Sequence, residues 1–244
     1  IELEYSITSG EFPMKKIISL CMILSFFVTC AFSTTLKSDE ELKKMDSITF
    51  VKEMGNGINL GNTMEATNNW LGFNADPEQY ELAWGQPITI KPYFDAYKEA
   101  GFDSVRIPVA WTNTMDWRNG DFEINKDYLE RVATVVQYAL DADLYVIIND
   151  HWDYGWWGLF GHDQKTAYKI FDAIWDTVGT YFKDYSPRLV FEAGNEEWGD
   201  RFNDKVDGKP GKLGIGAQYK LITTLAQRFV DKIRAQGGNN TDRF

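Results

Sequence analysis

Polar side chains of a reactive kind lie within or directly after four short apolar runs of this sequence. The set combines amides, a guanidinium, an imidazole and carboxyl groups: Asn59, Asn62, Arg106, Asn149, His151, Asn195, Glu196 and Glu197. A carboxylic acid flanked by an amide donor, an arginine and a neutral imidazole can give a proton to an oxygen and take one back. The residue types therefore predict general acid and base chemistry.

The four apolar runs are the elements that must position these groups. They occupy residues 57–60, 104–109, 144–148 and 189–193, and the segments between them carry apolar residues at helical spacing. Strands that alternate with helices form parallel βα units, and parallel barrels hold their reacting groups at the C-terminal ends of the strands. We therefore expect an α/β fold of the (β/α)8 TIM-barrel family, with about the first four βα units in this chain.

Three helix starts are marked by capping residues. Ser38 and Glu41 have the spacing of a capping box and predict a helix that continues to Gly55. Thr89 and Asn125 are the predicted N-caps of the next two helices.

The amino-acid composition limits the classes of partner that the chain is expected to bind. The chain has 25 Lys and Arg against 36 Asp and Glu, and the net charge of −11 would repel a phosphate backbone, so we expect no nucleic-acid partner. Nine Trp, twelve Tyr and sixteen Phe exceed what a core needs, and aromatic faces outside a core usually bind ligands such as sugars.

The N-terminal segment has the layout of a secretory signal. Met14, Lys15 and Lys16 precede an apolar run over residues 17–32, which is too short for a comfortable membrane span. We expect an upstream segment at 1–13, a signal peptide at 14–33 and a mature chain from 34 to 244, secreted to the periplasm or the exterior. Membrane contact would occur only through the signal peptide. Lipid anchoring at Cys30 is the alternative, although Thr29 before it is larger than such sites prefer.

Both cysteines, Cys21 and Cys30, lie inside this segment. The mature chain therefore has no disulfide and no thiolate metal site.

Five motifs resemble, in order and spacing, those of glycoside hydrolase family five, and among its members the bacterial endo-β-1,4-glucanases. They are GINLGNT at 57–63, AWGQP at 83–87, SVRIPV at 104–109, NDHWD at 149–153 and LVFEAGNEE at 189–197. The resemblance covers about residues 54 to 244. It implies hydrolysis of internal β-1,4-glucosidic bonds with retention on a (β/α) barrel, with a β-glucan as substrate and without a metal or organic cofactor.

The resemblance also implies a role for individual residues. Glu196 would be the acid/base, Asn195 would bond the sugar 2-hydroxyl, and Arg106 would keep the nucleophilic carboxylate ionised. His151 would contact the substrate or that carboxylate. Trp156 would be the aromatic platform under a glucose ring, and Asn59 would complete the substrate-binding set.

The second carboxylate of a retaining pair is the missing part. Two carboxyls about 5–5.5 Å apart are needed, and family five places its nucleophilic Glu on the seventh strand, whereas this chain ends before the fifth. Glu197 cannot replace it, because adjacent residues of an extended chain point to opposite sides. Glu192 shares a face with Glu196 but lies deeper. We therefore expect an N-terminal part of the enzyme that lacks half of its catalytic pair and is inactive by itself.

Three alternatives stay open. The chain could be a non-catalytic β-glucan-binding half barrel, or a relative that acts on xyloglucan or mannan. It could also be an interaction fragment whose first and fourth strands pair with another chain to complete the barrel.

Overall fold

The structure is a computed structural model that describes residues 36–68 and 70–243. The description below concerns the compact unit Lys37–Phe244. The expected upstream segment and signal peptide lie outside the described residues. Among residues 36–68 and 70–243, none of the helices has the length and apolar character needed to cross a membrane.

Four parallel strands form one sheet in the order of the sequence. They are β1 (Gly57–Asn59), β2 (Ser104–Ile107), β3 (Tyr145–Asn149) and β4 (Leu189–Glu192), each hydrogen-bonded to the next. In the strand register, Asn59 lies opposite Arg106 and Asn149 lies opposite Glu192. The four expected strands are confirmed, and the sheet is a partial (β/α)8 barrel.

Seven α-helices surround or precede the strands in the described residues. They are α1 (Asp39–Leu42), α2 (Ser47–Glu53), α3 (Pro77–Glu81), α4 (Lys91–Glu99), α5 (Lys126–Asp141), α6 (Gln164–Phe182) and α7 (Ile215–Ala235). Short 3-10 segments lie in the connections, among them Leu82–Trp84, Trp111–Thr114 and Asp153–Gly161.

The capping predictions had mixed outcomes. The Ser38 box is present, and Asn125 accepts the N–H groups of Asp127 and Tyr128. The first helix, however, is two helices, because the Asp46 side chain accepts the Thr49 N–H and starts α2. Thr89 is not a cap.

The N-cap of α4 is Ile90, which makes no side-chain cap bond. Thr89 is instead buried, and its N–H donates to the Glu81 carboxylate at 2.8 Å. The Thr89 N–H is therefore bound by a carboxylate of α3, and Thr89 does not start a helix.

The two faces of the sheet differ in chemistry. Alternate strand residues are buried against the helices in the main core: Val105, Ile107, Val146, Ile148, Leu189 and Phe191. The other, concave face carries Arg106, Ile147, Val190 and Glu192, which are half-buried. This alternation is the period-two pattern of strands, and it sends the reactive groups to one side.

A second, small core lies where the strands begin. Leu42 and Phe50 pack there with Tyr145, and the rings of Phe50 and Tyr145 meet edge to face at 5.4 Å between centroids. Helices α1 and α2 thus cover the amino-terminal end of the strands. The polar side chains predicted to form the site lie at the opposite, carboxyl-terminal end.

Candidate active site

Arg106 and Glu192 form the centre of the polar network on the concave face. Arg106 Nε donates to Glu192 Oε2 and Nη2 donates to Glu192 Oε1, both at 2.7 Å. Nη2 also donates to Asn195 Oδ1 at 2.9 Å. The bond to Glu192 raises the pKa of Arg106 above its ordinary value. A bidentate pair of this kind fixes both side chains in one plane.

Asn149 determines the tautomer of His151. Its Oδ1 accepts the Val109 N–H at 3.3 Å, so its Nδ2 faces Glu192 Oε1 at 3.3 Å and His151 Nδ1 at 3.2 Å. Because Nδ2 is a donor, Nδ1 of His151 must accept, and the neutral ring carries its proton on Nε2. Burial, and then the positive charge of Arg106, lower the pKa of His151. The imidazole is therefore neutral at neutral pH.

Glu196 and Glu197 diverge as expected, but in a turn rather than in a strand. Glu196 is exposed and its charge reaches His151. Glu197 is 2% exposed, and burial raises the pKa of its carboxyl. The residue expected to donate a proton thus faces outward, whereas its neighbour lies in the interior.

Asn195 and Asn59 lie on either side of Arg106. The Asn195 carbonyl is engaged by Arg106, which leaves its Nδ2 facing Glu197 Oε1 at 3.5 Å. Asn59, at the end of β1, lines a hollow of about 220 Å³ with Arg106 and Ile147. The structure therefore brings Asn59, Arg106, His151, Asn195 and Glu196 to the same end of the sheet.

The assignment of Trp156 as an exposed platform is wrong. Its side chain is 0% exposed and stacks on Trp157 at 4.2 Å between ring centroids. The reason is a backbone reversal, because Asp153, Tyr154 and Gly155 have φ values of 47°, 57° and 66°. This left-handed stretch turns the segment that follows into the core, where a ring has no free face.

Other aromatic side chains have free surface near this loop. Trp152 is 38% exposed and its ring lies 6.1 Å from that of Tyr154. Trp84 is 44% exposed and its Nε1 donates to the Thr67 carbonyl at 3.0 Å. Trp70, in the same loop as Thr67, is 85% exposed. We call Trp84, Trp152 and Tyr154 the aromatic rim.

Three groups of the site were missed or set aside at the sequence level. Glu192 had the right strand spacing, but no signal showed that Arg106 would bind it. Glu65 is buried and accepts the N–H groups of Asn62 and Thr63 at 2.5 and 2.9 Å, and burial raises its pKa. Asp150 and Asp153 are fully buried, which their positions among polar residues did not indicate.

The volume of a cavity does not identify the candidate active site. A hollow of about 1090 Å³ lies between α6 and α7 and is lined by side chains such as Asp176, Lys220 and Arg228. It contains none of the residues at the carboxyl ends of the strands, so the functional groups and not the volume define the site. Within the described ranges, no cluster of three or more His, Cys, Asp or Glu is arranged to hold a metal ion.

The chain is similar to known glycan-degrading enzymes. Endoglucanase A of Ruminococcus albus is 36% identical over 84% of this chain and 53% of its own length. A xyloglucan-specific endo-beta-1,4-glucanase of Bacteroides ovatus is 34% identical over 82% of this chain and 38% of its own. A glycoside hydrolase 5 lichenase from Caldicellulosiruptor sp. F32, solved with cellotetraose, superposes with a TM-score of 0.69 and 39% identity, over 82% of this chain and 53% of that one.

These matches cover much more of this chain than of the relatives. The chain spans about half of the Ruminococcus enzyme and less than half of the Bacteroides enzyme. Residues 58–241 match the cellulase family, glycosyl hydrolase family 5. On the strength of that match and of the partial barrel, the chain belongs to glycosyl hydrolase family 5.

Proposed function

We propose that the chain is the N-terminal part of an exported endoglucanase that hydrolyses internal β-1,4-glucosidic bonds with retention. Residues 14–33 are its signal peptide, and residues 34–244 belong to the catalytic barrel. The observation that carries the proposal is the exposed Glu196 beside an Arg106-bound Asn195 and a neutral His151, at the carboxyl end of parallel strands.

Glu196 is the acid/base in this proposal. Its carboxyl protonates the leaving glycosidic oxygen and then takes a proton from water in the second step. Asn195 binds the sugar 2-hydroxyl, because Arg106 engages its carbonyl and leaves its amide as a hydrogen-bond donor. His151 presents Nε2–H as a donor to the substrate or to the nucleophile, and Asn59 provides a polar contact on the far side of Arg106.

The nucleophile is placed outside residues 36–243. Both oxygens of Glu192 are bound by Arg106, and one also accepts from Asn149, so Glu192 serves to position these groups. Glu197 is buried, and a buried carboxyl cannot attack a sugar in solution. A second carboxylate beside Arg106 would be kept ionised by its charge.

The substrate is a neutral β-glucan. A chain with a net charge of −11 favours an uncharged polymer over an anionic one. The aromatic rim offers partly exposed rings near His151, and such rings stack on the apolar faces of sugars. The relatives named as endoglucanase, lichenase and xyloglucan-specific endoglucanase support this class without choosing one backbone among glucan, xyloglucan and mannan.

A non-catalytic β-glucan binder is the second candidate. The observation that favours it is the exposed Glu196 at the carboxyl end of the sheet, together with the partly exposed rings of the aromatic rim. In the separate alternative of an interaction fragment, the open edges of β1 and β4 would pair with another chain and complete the barrel.

Assaying the chain on carboxymethylcellulose, beside Glu196→Gln, tests the proposal. We expect addition of the missing C-terminal half barrel, as a separate chain or in one chain, to give sugar release that Glu196→Gln lowers at least ~100-fold. Glu130→Gln, an exposed change on α5, is the matched control and should be neutral.

The same variants separate the two candidates. Retarded migration in a gel that contains soluble β-glucan, without sugar release from any assembly, would favour the binder. Full activity of Glu196→Gln would contradict the acid/base role.

A further inference from the structure

Two fully buried aspartates flank His151 in the connection that follows β3. Asp150 and Asp153 both have 0% exposure. His151 itself is fixed by its backbone, since its N–H donates to the Val109 carbonyl at 2.9 Å and its own carbonyl accepts from Trp157 Nε1 at 3.3 Å. The two carboxyl groups therefore belong to the buried part of the connection that carries His151.

Asp153 is bound as an ionised carboxylate would be. The Thr112 N–H donates to both of its oxygens at 2.9 Å, and the Thr112 hydroxyl donates to Oδ1 at 2.6 Å. These bonds join the connection after β3 to the 3-10 segment Trp111–Thr114 after β2. They also hold the left-handed backbone of Asp153 and Tyr154, which costs energy for residues other than glycine.

Asp150 is in the opposite situation. Within the described residues, neither of its carboxyl oxygens makes a hydrogen bond of good geometry to an N–H or a hydroxyl group, and the carboxyl faces Asp153 and the Trp156 indole. Burial raises its pKa well above the ordinary value, and the adjacent charge of Asp153 raises it further. Two ionised carboxyls in contact inside a protein repel strongly, so such pairs hold one proton between them. The donors on Thr112 assign that proton to Asp150.

We propose that Asp150 is a neutral carboxylic acid whose O–H donates a hydrogen bond to the Asp153 carboxylate, and that this acid–carboxylate pair positions His151. The pair acts through the backbone between its members and through Thr112, and neither member touches substrate. The positioning role rests on the proposed function, whereas the shared proton does not.

The other groups that face the pair define its pH behaviour. Glu197, in the turn after β4, adds a negative charge near Asp150. Tyr128 of α5 and Tyr154 lie near Asp153, and the Trp156 indole N–H faces both carboxyls. Burial raises the pKa of Asp153 to about 6.

The folded pair therefore keeps a proton that the unfolded chain releases near pH 4. Between that pH and the pKa of the pair, the folded state binds more protons than the unfolded state. The contribution of the pair to the free energy of unfolding therefore falls as the pH rises through this window.

Asp150→Asn tests the shared proton directly. Its amide keeps the shape of the acid and a permanent N–H donor for Asp153. We measure urea unfolding midpoints from pH 4.5 to 8.5 and expect the variant to lose a proton-linkage slope of about one proton relative to the wild type. Asp141→Asn, an exposed change on α5, should keep the wild-type slope. An unchanged slope in Asp150→Asn would overturn the proposal.

Histidine NMR tests the positioning role without any hydrolysis assay. The sequence has two histidines, His151 and His162, so the imidazole signals are few, and His162→Gln assigns them. We expect Asp153→Asn to move the His151 signal and leave the His162 signal in place. Thr112→Val removes the same hydroxyl bond and serves if Asp153→Asn does not fold. If a variant folds and its His151 NMR signal does not move, the positioning role is contradicted, even if hydrolysis is later found.

Discussion

Arg106 organises the site at the scale of single residues. One guanidinium holds Glu192 and Asn195 and places a positive charge beside His151. The positive charge of Arg106 and the burial of the ring both lower the pKa of the imidazole, and both therefore favour its neutral form. In the proposed hydrolysis, a neutral ring would donate from Nε2 without adding a charge beside a positively charged transition state.

The neutral His151 predicts a pH effect on stability. Its folded pKa lies below its unfolded value, which is about 6.5. The unfolded state therefore binds more protons at acidic pH, and the contribution of His151 to stability is lost as the pH falls below about 6.5. We expect His151→Gln to remove this contribution, so that the unfolding free energy at pH 5, relative to that at pH 7, is higher in the variant than in the wild type, measured by urea denaturation. His162→Gln, at an exposed position, is the control and should follow the wild-type curve.

Residue types at strand ends were enough to find most of the site. Asn59, Arg106, His151, Asn195 and Glu196 lie at the carboxyl end of the sheet because the apolar runs before them are strands. The exposure of a tryptophan in a loop cannot be predicted from strand positions in this way. Trp156 is buried because Asp153 and Tyr154 adopt positive φ, and nothing in their side chains announces that conformation.

The elements are joined by buried ion pairs as well as by apolar stripes. Glu81, the last residue of α3, is fully buried and accepts from Arg131 of α5 at 2.6 Å and from the Thr89 N–H. Arg131 also donates to the Thr89 carbonyl at 2.8 Å. The same three residues therefore connect two helices with the segment that leads into α4.

Glu81→Gln is expected to destabilise the fold by about 3 kcal/mol, because it leaves the half-buried guanidinium of Arg131 without its counterion. Glu130→Gln, in an exposed pair with Lys126 on α5, should cost less than about 1 kcal/mol. Urea midpoints of the two variants give the comparison. Equal midpoints would show that the buried pair contributes no more than a surface pair.

Sequence reasoning at the element scale worked where the signal was local. Apolar runs located the strands, and Asn125 marked a helix start. The prediction of Thr89 as an N-cap was wrong because Thr89 binds Glu81 of another helix. Such a contact cannot be recognised from neighbouring residues in the sequence. Asp46 divides the first helix through a capping bond that competed with an equally plausible continuous helix.

At the scale of the whole molecule, Arg243 ties the last described segment to the sheet. Its guanidinium is bound by backbone carbonyls at the end of α6 and the start of β4: Phe182, Lys183, Tyr185, Ser186 and Leu189. It also lies over the Phe191 ring, 5.0 Å from its centroid. Burial lowers its pKa to about 10, so the group remains charged at neutral pH. The orphan carbonyls of a helix end are thereby satisfied by a cation distant in sequence.

Arg243→Lys should lower the free energy of unfolding by about 3 kcal/mol, since an ammonium cannot reach the set of acceptors that a planar guanidinium spans. Arg201→Lys, at an exposed position, is the matched control. Thermal and urea midpoints measure both. A loss no greater than that of the control would mean that the carbonyls find other donors.

The small core under the strands has a practical consequence. Phe50 and Tyr145 meet at the end of the sheet remote from Glu196, and Ser186 there donates to Asp39 of α1 at 2.6 Å. Repacking these contacts would change the free energy of unfolding without altering the candidate site residues. Heat resistance and the proposed activity can therefore be varied by substitutions at opposite ends of the strands.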